Sequence, residues 1–319
     1  MKLEDIGFYT LSDKRAKSCS EESPLARAEL LVTDKCNFKC PYCRGIRKDW
    51  GGEMSLPLAQ EWLGIFGEHN LQNVRFSGGE PTLYPFLGVL VKGCRNIGVS
   101  RIALSTNGSA PLGFYRELVR LGVNDFSISL DAGCCSVGEV MSGGKRGSWE
   151  TASNSIRELS KITYVTVGVV LTEENVGGVL GIVDYVESLG PSDIRIIPSA
   201  QYNRGMELLK GRSASSPILK YRISGEKKVR GLEAGDVGKC SIVLDDLAVY
   251  GRWHFPCVIQ FREGGDPIGE IGGNMRMERK RWSDGHDSLD DPICRDNCLD
   301  VCKEHNNRVA FYAGKDARG

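Results

Sequence analysis

Six short apolar segments alternate with longer segments of helical period between residues 28 and 198. The short segments are rich in β-branched residues, which predicts strands, and their alternation with helices favours a parallel sheet with right-handed crossovers. The predicted strands are 28–32, 73–76, 101–105, 125–130, 163–171 and 193–198, and the predicted helices are 58–66, 85–96, 112–121, 149–160 and 176–189. Because a complete barrel needs eight such units, six units predict an α/β fold with an open, partial (β/α)6 TIM-like barrel.

The strand–helix rhythm stops near residue 205. Residues 213–217 and 224–238 are polar and contain glycine, which predicts a linker or insert. Five of the twelve cysteines lie between residues 239 and 319, so we expect a smaller second domain that is held together by metal. The predicted organisation is an amino-terminal arm (1–25), the partial barrel (26–205), the linker or insert (206–238) and a cysteine-rich carboxy-terminal domain (239–319).

Composition limits the partners that we expect. The 319 residues are 41% hydrophobic, enough to bury a large core, and the formal net charge of +0 gives no footprint for DNA. Residues 1–20 are mixed and polar rather than a secretory signal, and no apolar run approaches the length that spans a membrane. We therefore expect a cytoplasmic protein with reduced thiols and no membrane partner.

Three cysteines occur within eight residues directly after the first predicted strand. Cys36, Cys40 and Cys43 have the spacing Cys-x3-Cys-x2-Cys. Three thiolates that hold a [4Fe–4S] cluster leave one iron without a protein ligand, and this iron is free to bind a cofactor. A structural zinc site is the weaker interpretation, because zinc requires four ligands and the nearest histidine in sequence, His69, lies outside the loop.

With Tyr42 in the aromatic position before the last cysteine, the loop resembles the signature of the radical S-adenosylmethionine (radical SAM) superfamily. The resemblance implies that the amino and carboxylate groups of SAM chelate the open iron. It also implies that one electron from the cluster cleaves the sulfonium and releases a 5′-deoxyadenosyl radical.

A pair of glycines follows the second predicted strand, in the sequence Ser77-Gly78-Gly79-Glu80-Pro81. Glycines allow the backbone to approach a ligand closely, although a simple turn would also explain them. The segment resembles the Gly-Gly-Glu-Pro segment of the radical SAM family, and the resemblance implies that Gly78, Gly79, Glu80 and Pro81 contact the amino group of SAM.

Polar side chains also follow the third and fourth strands. Ser105, Asn107, Ser129 and Asp131 supply hydroxyl, amide and carboxylate groups that match a ribose diol and an α-carboxylate. The alternatives are a turn at Asn107 and a helix cap at Asp131.

Two weaker candidates for SAM contact lie further along the barrel. Asn175 follows strand five, where the resemblance implies contact with adenine, and Arg195 lies on strand six. Residues 132–148, after strand four, are predicted to form a long polar loop that covers the mouth of the site.

The remaining cysteine cluster is in the carboxy-terminal region. Cys240 and Cys257 flank a segment with Gly251, and Cys294, Cys298 and Cys302 follow at intervals of four. The set resembles the auxiliary-cluster extensions of radical SAM enzymes called SPASM or, in the one-cluster form, twitch. The resemblance implies one auxiliary [4Fe–4S] cluster on Cys240, Cys257, Cys294 and either Cys298 or Cys302. Zinc is the alternative, with His254 or His305 able to replace a thiol.

These patterns together predict a radical SAM oxidoreductase or maturase. Hydrogen abstraction from an organic substrate, coupled to an auxiliary cluster, favours oxidative modification such as peptide maturation or dehydrogenation of a small molecule. The resemblance implies a flavodoxin or ferredoxin as electron donor. The alternatives are a nucleotide-modifying enzyme, such as the molybdenum-cofactor cyclase branch, and a non-catalytic iron–sulfur or zinc protein.

Overall fold

A computed structural model describes residues 2–45, 51–199, 203–224 and 228–316. Nine strands form one sheet, and the six strands predicted from the sequence are confirmed to within two residues at either end. The strands are β1 Arg27–Thr33, β2 Asn73–Gly78, β3 Arg101–Thr106, β4 Asp125–Ser129, β5 Tyr164–Leu171, β6 Asp193–Pro198, β7 Asp246–Tyr250, β8 Trp253–Phe255 and β9 Gly269–Glu270.

The sheet is mostly parallel and does not close. Its strand order is β6-β5-β4-β3-β2-β1-β7-β8-β9, and every pair from β6 to β7 is parallel, whereas β7, β8 and β9 pair antiparallel. Within the described residues β6 and β9 are the two edges, so the molecule has the predicted partial TIM-like barrel.

Twelve α-helices accompany the sheet within the described residues. They are α1 Asp13–Ser18, α2 Leu56–Glu68, α3 Leu87–Asn96, α4 Leu112–Leu121, α5 Cys135–Met141, α6 Ser148–Leu159, α7 Val179–Ser188, α8 Pro217–Ser224, α9 Val258–Arg262, α10 Met275–Gly285, α11 Pro292–Asn297 and α12 Asp300–Asp316. The start of α2 shows why the sequence forms a helix there. The Ser55 hydroxyl accepts a hydrogen bond from the Leu58 amide at 3.4 Å, and Pro57 is in the first turn.

The two faces of the sheet have opposite character because neighbouring residues of a strand point to opposite sides. Ala28, Leu30 and Val32 of β1 are fully buried in the large core beneath the helices. Their neighbours Arg27 and Glu29 instead form an ion pair within the barrel's polar interior. The inward face of the sheet therefore carries charged side chains below the carboxyl ends of the strands.

The carboxy-terminal region contributes to the same sheet. β7 pairs in parallel with β1, from Arg27 opposite Asp246 to Leu31 opposite Tyr250. The amino-terminal arm also reaches this region, where Arg15 of α1 donates two hydrogen bonds to Asp245. The division of the chain at residues 25, 205 and 238 stays a prediction, and residues 225–227 of the predicted linker lie outside the described residues.

One expectation was wrong in part. Residues 132–148 are not loop throughout, because Cys135–Met141 form helix α5. The indole of Trp149 donates a hydrogen bond to the Ala132 carbonyl at 2.9 Å and packs against Gly138. This contact with α6 stabilises a helix too short to form alone.

Candidate active site

The carboxyl ends of the first strands and the cysteine loop enclose one cavity. Its empty space, counted out to the open mouth, is about 970 Å³. Eleven of the residues predicted from the sequence line this cavity: Cys36, Cys40, Tyr42, Cys43, Gly78, Gly79, Glu80, Ser105, Asn107, Ser129 and Asp131. Pro81, Asn175 and Arg195 do not line it.

The cysteine loop presents three thiols to the cavity. None of the twelve cysteines, all of which the structure describes, is in a disulfide. The backbone N–H of Phe38 points at the Cys36 sulfur at 3.4 Å and that of Gly45 at the Cys43 sulfur at 3.3 Å. Burial raises the pKa of Cys40 to about 12, so a bound cation is needed to hold this sulfur as a thiolate.

The spacing of these sulfurs fits an iron–sulfur cluster better than one metal ion. Among the described residues, Cys36, Cys40 and Cys43 do not form a group whose sulfurs all lie within 4.8 Å of one another. Ligands of one zinc ion lie closer, since each zinc–sulfur bond is about 2.3 Å. A [4Fe–4S] cluster, with a separate iron for each thiolate, accommodates the wider spacing and the inward N–H groups.

The paired glycines allow two backbone segments to touch. The Gly79 amide donates to the Thr33 carbonyl at 2.8 Å, and the Glu80 amide donates to the Lys35 carbonyl at 2.7 Å. A Cβ on Gly78 would lie 2.3 Å from the Thr33 oxygen, and a Cβ on Gly79 would lie 2.3 Å from the Lys35 oxygen. The glycines therefore fix the start of the cysteine loop against the end of β2.

Glu80 is buried and joins three parts of the cavity wall. Its carboxylate accepts hydrogen bonds from two backbone N–H groups, those of Thr82 (3.1 Å) and Asn107 (2.7 Å). It also accepts from the hydroxyls of Thr82 and Thr106, at 2.7 Å each. Burial raises the pKa of this carboxyl despite the four donors. Pro81 begins the short 3-10 helix Pro81–Leu83 and is itself buried.

The ends of β3 and β4 present polar groups to the same space. The Ser105 hydroxyl accepts a hydrogen bond from Arg75 at 2.9 Å. The Asn107 amide group donates to the Asn37 oxygen at 2.8 Å, next to the Cys36 sulfur at 4.0 Å. Ser129 is exposed in the cavity wall.

Asp131 connects the cysteine loop to strand β5. One carboxylate oxygen accepts a hydrogen bond from the Tyr42 hydroxyl, and the other accepts from the Val170 amide at 2.6 Å. Burial raises the pKa of Asp131 to about 6. Asn175 braces the same turn from behind, because its amide group donates to the carbonyls of Asp131 and Val170.

Twelve further residues line the cavity wall: Phe38, Ser77, Thr106, Leu130, Gly138, Met141, Ser142, Ser148, Trp149, Ala152, Val170 and Arg262. Four of them, Gly138, Met141, Ser142 and Ser148, belong to the segment 132–148 that was predicted to cover the site. Residues around α5 reach the cavity because the Lys39 amide donates to the Ser142 carbonyl at 3.1 Å. Arg262 arrives on α9, five residues after Cys257. Its closeness in sequence to Cys257 is the signal that could have drawn attention to Arg262.

A hairpin and three helices carry the five carboxy-terminal cysteines, called the tail cysteines below. Gly251, with φ +56, makes the turn between β7 and β8, so that Cys240 and Cys257 flank one hairpin. Cys257 precedes α9, Cys294 lies in α11, Cys298 ends α11 and Cys302 lies in α12. Burial raises the pKa of Cys240, Cys257 and Cys294 to about 12.

One histidine and one carboxylate lie beside these thiols: the ligand atoms of His286, Asp291 and Cys294 all lie within 4.8 Å of one another, close enough to hold a single metal ion. Among the described residues, no three of the five tail sulfurs lie within 4.8 Å of one another. His254 contacts Arg279 and Glu278, and His305 contacts the Thr10 carbonyl and lies beside Asp245 and the Cys19 sulfur, so neither histidine joins the five carboxy-terminal cysteines. A histidine that was not predicted, His286, lies 3.7 Å from the Cys294 sulfur.

The profile described as the radical SAM superfamily matches residues 30–186, which hold the cysteine loop and the first five strands. The chain contains a radical SAM domain.

Relatives of known sequence share this domain. A GTP 3′,8-cyclase of Staphylococcus aureus (strain Mu3) is 31% identical over 119 residues, or 34% of this chain and 35% of that protein. A GTP 3′,8-cyclase of Peptoclostridium acidaminophilum is 29% identical over 228 residues, or 61% of this chain and 68% of that protein. The chain thus spans about a third of the length of the Staphylococcus relative that it matches.

The similarity to solved structures covers more of this chain than the radical SAM domain does. Streptococcus suis SuiB, bound to the precursor peptide SuiA, has a TM-score of 0.57 at 13% identity, over 86% of this chain and 66% of that one. Native anSMEcpe with bound AdoMet has a TM-score of 0.61 at 17% identity, over 92% of this chain and 98% of that one. At these identities the similarity concerns the fold.

Among the described residues, no helix combines the length and the apolar composition needed to cross a bilayer.

Proposed function

We propose that this chain is a radical SAM enzyme that abstracts hydrogen from an organic substrate for oxidative modification. The observation that carries the proposal is the single cavity shared by Cys36, Cys40, Cys43, the glycine pair and the polar ends of β3 and β4. When bound and reduced, a [4Fe–4S] cluster with an open iron supplies the electron that cleaves SAM to a 5′-deoxyadenosyl radical.

The residues of the chain hold and shield the reactants. Cys36, Cys40 and Cys43 hold the cluster, and the Phe38 and Gly45 amides stabilise two of the thiolates. Gly78 and Gly79 place the backbone beside the cluster, and Ser105, Asn107 and Ser129 offer hydrogen bonds to SAM. Tyr42 and Asp131 keep the loop against β4 and β5.

The tail cysteines are proposed to hold an auxiliary [4Fe–4S] cluster of the SPASM or twitch kind. The ligands are Cys240, Cys257, Cys294 and either Cys298, which caps the end of α11, or Cys302 in α12. Cys257 directly precedes helix α9, and α9 ends at Arg262 in the cavity wall, which supports a role for the second cluster near the substrate.

The substrate is proposed to be a peptide or a small molecule. A nucleotide is the second candidate, because the sequence relatives are GTP 3′,8-cyclases. A flavodoxin or ferredoxin is the proposed electron donor, and the cytoplasm is the proposed location.

The test is product formation from SAM. The chain is reconstituted anaerobically with iron and sulfide, reduced with dithionite and incubated with SAM, and 5′-deoxyadenosine is measured by chromatography. Wild type is expected to form 5′-deoxyadenosine. So is the control Cys134→Ala, which removes an exposed thiol from the segment 132–148. Cys40→Ala is expected to form none. A wild-type chain that holds its cluster and forms no 5′-deoxyadenosine contradicts the proposal.

A further inference from the structure

Three side chains of the kinds that bind metal ions meet away from the cavity. Cys19 follows helix α1 of the amino-terminal arm, Asp245 directly precedes β7, and His305 lies in α12. The Cys19 sulfur, a carboxylate oxygen of Asp245 and a ring nitrogen of His305 all lie within 4.8 Å of one another. Because β7 runs parallel to β1, this group lies at the amino-terminal ends of the strands, whereas the cavity lies at their carboxyl ends.

His305 has the hydrogen bonding of a histidine that ligates a metal. Its side chain is fully buried, with 0% of its surface exposed. Nδ1 faces the Thr10 carbonyl at 3.3 Å, which assigns the proton to this nitrogen, and the buried Nε2 has no hydrogen-bond partner among the described residues. A histidine ligand typically donates one N–H to a carbonyl and binds the metal through its other nitrogen. Nε2 therefore keeps a lone pair for a cation.

Asp245 is held in position by the amino-terminal arm. Arg15 donates to both of its carboxylate oxygens, at 3.0 Å from Nε and 2.5 Å from Nη2. Each oxygen has two lone pairs, so both oxygens keep one lone pair for a cation. A second carboxylate, that of Asp246, lies 3.8 Å from Arg15 and shares its positive charge. Carboxylates that ligate metals are commonly hydrogen-bonded in this way, so Arg15 orients Asp245 and does not exclude a metal.

The three donor atoms indicate which metal fits. A thiolate, an imidazole and a carboxylate together suit zinc, whereas magnesium and calcium take oxygen ligands. Two ligands of one tetrahedral zinc ion lie about 3.3–3.8 Å apart, so side-chain shifts of about 1 Å would close the set. The Cys19 sulfur lies 3.3 Å from the Ser241 carbonyl oxygen, to which its S–H donates, and a zinc ion would displace that proton to solvent.

We propose that Cys19, Asp245 and His305 bind one zinc ion, which ties the amino-terminal arm to β7 and α12. The inference goes beyond the proposed function and is independent of it, because neither proposed cluster uses any of these three residues. Three protein ligands leave the fourth zinc position to water. The role of this zinc is structural, since its ligands come from three segments far apart in sequence and a metal that binds only the folded chain stabilises it.

The test measures zinc binding by the full chain after reconstitution with iron and sulfide. The desalted chain is titrated anaerobically with Zn²⁺ in competition with a fluorescent chelator, and bound zinc and iron are counted by mass spectrometry. Wild type is expected to bind about one zinc per chain without losing iron. His305→Gln and Cys19→Ser are each expected to weaken zinc binding about 100-fold or more, because each removes a direct ligand. Cys19→Ser, at a partly exposed position, provides the result if His305→Gln fails to fold.

The matched control is His286→Gln, which removes the histidine of the other close group, with Asp291 and Cys294, and is expected to bind zinc like wild type. X-ray absorption at the zinc edge is expected to show one sulfur at about 2.3 Å and lighter ligands at about 2.0–2.2 Å. Zinc is also expected to raise the unfolding temperature of wild type and not that of Cys19→Ser. Zinc binding that is absent from wild type, kept in both His305→Gln and Cys19→Ser, lost in His286→Gln, or made by four sulfurs would overturn the inference.

Discussion

Glu80 shows how one buried side chain organises the cavity. Its two oxygens accept hydrogen bonds from Thr82, Thr106 and Asn107, which belong to the ends of β2 and β3. The sequence predicted the position of Glu80 in the site from its neighbours Gly78 and Gly79. The four donors come from elements that only the fold brings together, so its bonding could not be predicted.

Glu80→Gln is expected to destabilise the chain by about 2 kcal/mol. The glutamine side chain has only one acceptor oxygen. Its NH2 group would face the backbone N–H of Asn107, so two hydrogen-bond donors would face each other in a buried place. The measurement is the free energy of unfolding in urea. Glu173→Gln, at an exposed position, is the control and should change stability little. Equal stability of the two variants would contradict the bonding described for Glu80.

Acid sensitivity should arise at His305. Burial lowers its pKa to about 4, below the usual 6.5, so between these values the unfolded chain binds a proton that the folded chain does not. Stability is therefore lost as the pH falls from 6.5 towards 4, by about 1.4 kcal/mol per pH unit. Urea unfolding at pH 7 and pH 5 should show a smaller loss for His305→Gln than for wild type. The same loss in both would argue against a neutral, buried His305.

At the scale of elements, the contact between β1 and β2 positions the cysteine loop. Thr33 ends β1 and Lys35 follows it, and their carbonyls accept hydrogen bonds from the backbone N–H groups of Gly79 and Glu80. No side chain fits between these two backbone segments. The glycine pair is therefore needed by the fold, whether or not it also contacts SAM.

Gly79→Ala should displace the cysteine loop. The added Cβ would lie 2.3 Å from the Lys35 oxygen and 2.7 Å from the Asp34 oxygen, so one segment must move. We expect a loss of about 2–4 kcal/mol in stability and a lower iron content after reconstitution. Gly177→Ala is the matched control, because a Cβ there has no neighbour within 4 Å. Normal iron content in Gly79→Ala would show that the loop tolerates the change.

Elements differed in how well the sequence predicted them. The six parallel barrel strands were found because each is a short segment with buried apolar residues that stands between two segments of helical period. Short helices such as α5, α8 and α9 were not found, because tertiary contacts rather than local preference stabilise them. In α8, for example, the amides of Ile218 and Leu219 donate to the Asp193 carboxylate.

At the scale of the whole molecule, the carboxy-terminal region extends the barrel sheet. β7 lies beside β1, although more than 200 residues separate them in sequence. Local patterns carry no information about such a pairing. The same reason explains why Arg262 was missed in the site, whereas the cysteine loop was found from its own spacing.

The two cysteine groups should hold two separate clusters. Reconstituted wild type is expected to contain about eight irons per chain, four for each cluster. Cys240→Ala combined with Cys257→Ala should lower this to about four, and so should alanine at Cys36, Cys40 and Cys43 together. Iron and zinc are measured on the same samples by mass spectrometry. Zinc in place of half of the iron would contradict the auxiliary cluster and favour a zinc site in the tail.

The most direct measurement of the central claim is the electron paramagnetic resonance spectrum of the reduced Cys240→Ala/Cys257→Ala chain, recorded without and with SAM. This variant retains the cluster of Cys36, Cys40 and Cys43 alone. The account predicts that SAM changes the spectrum, because it binds the iron that lacks a protein ligand. An iron–sulfur signal that stays the same at saturating SAM would contradict it.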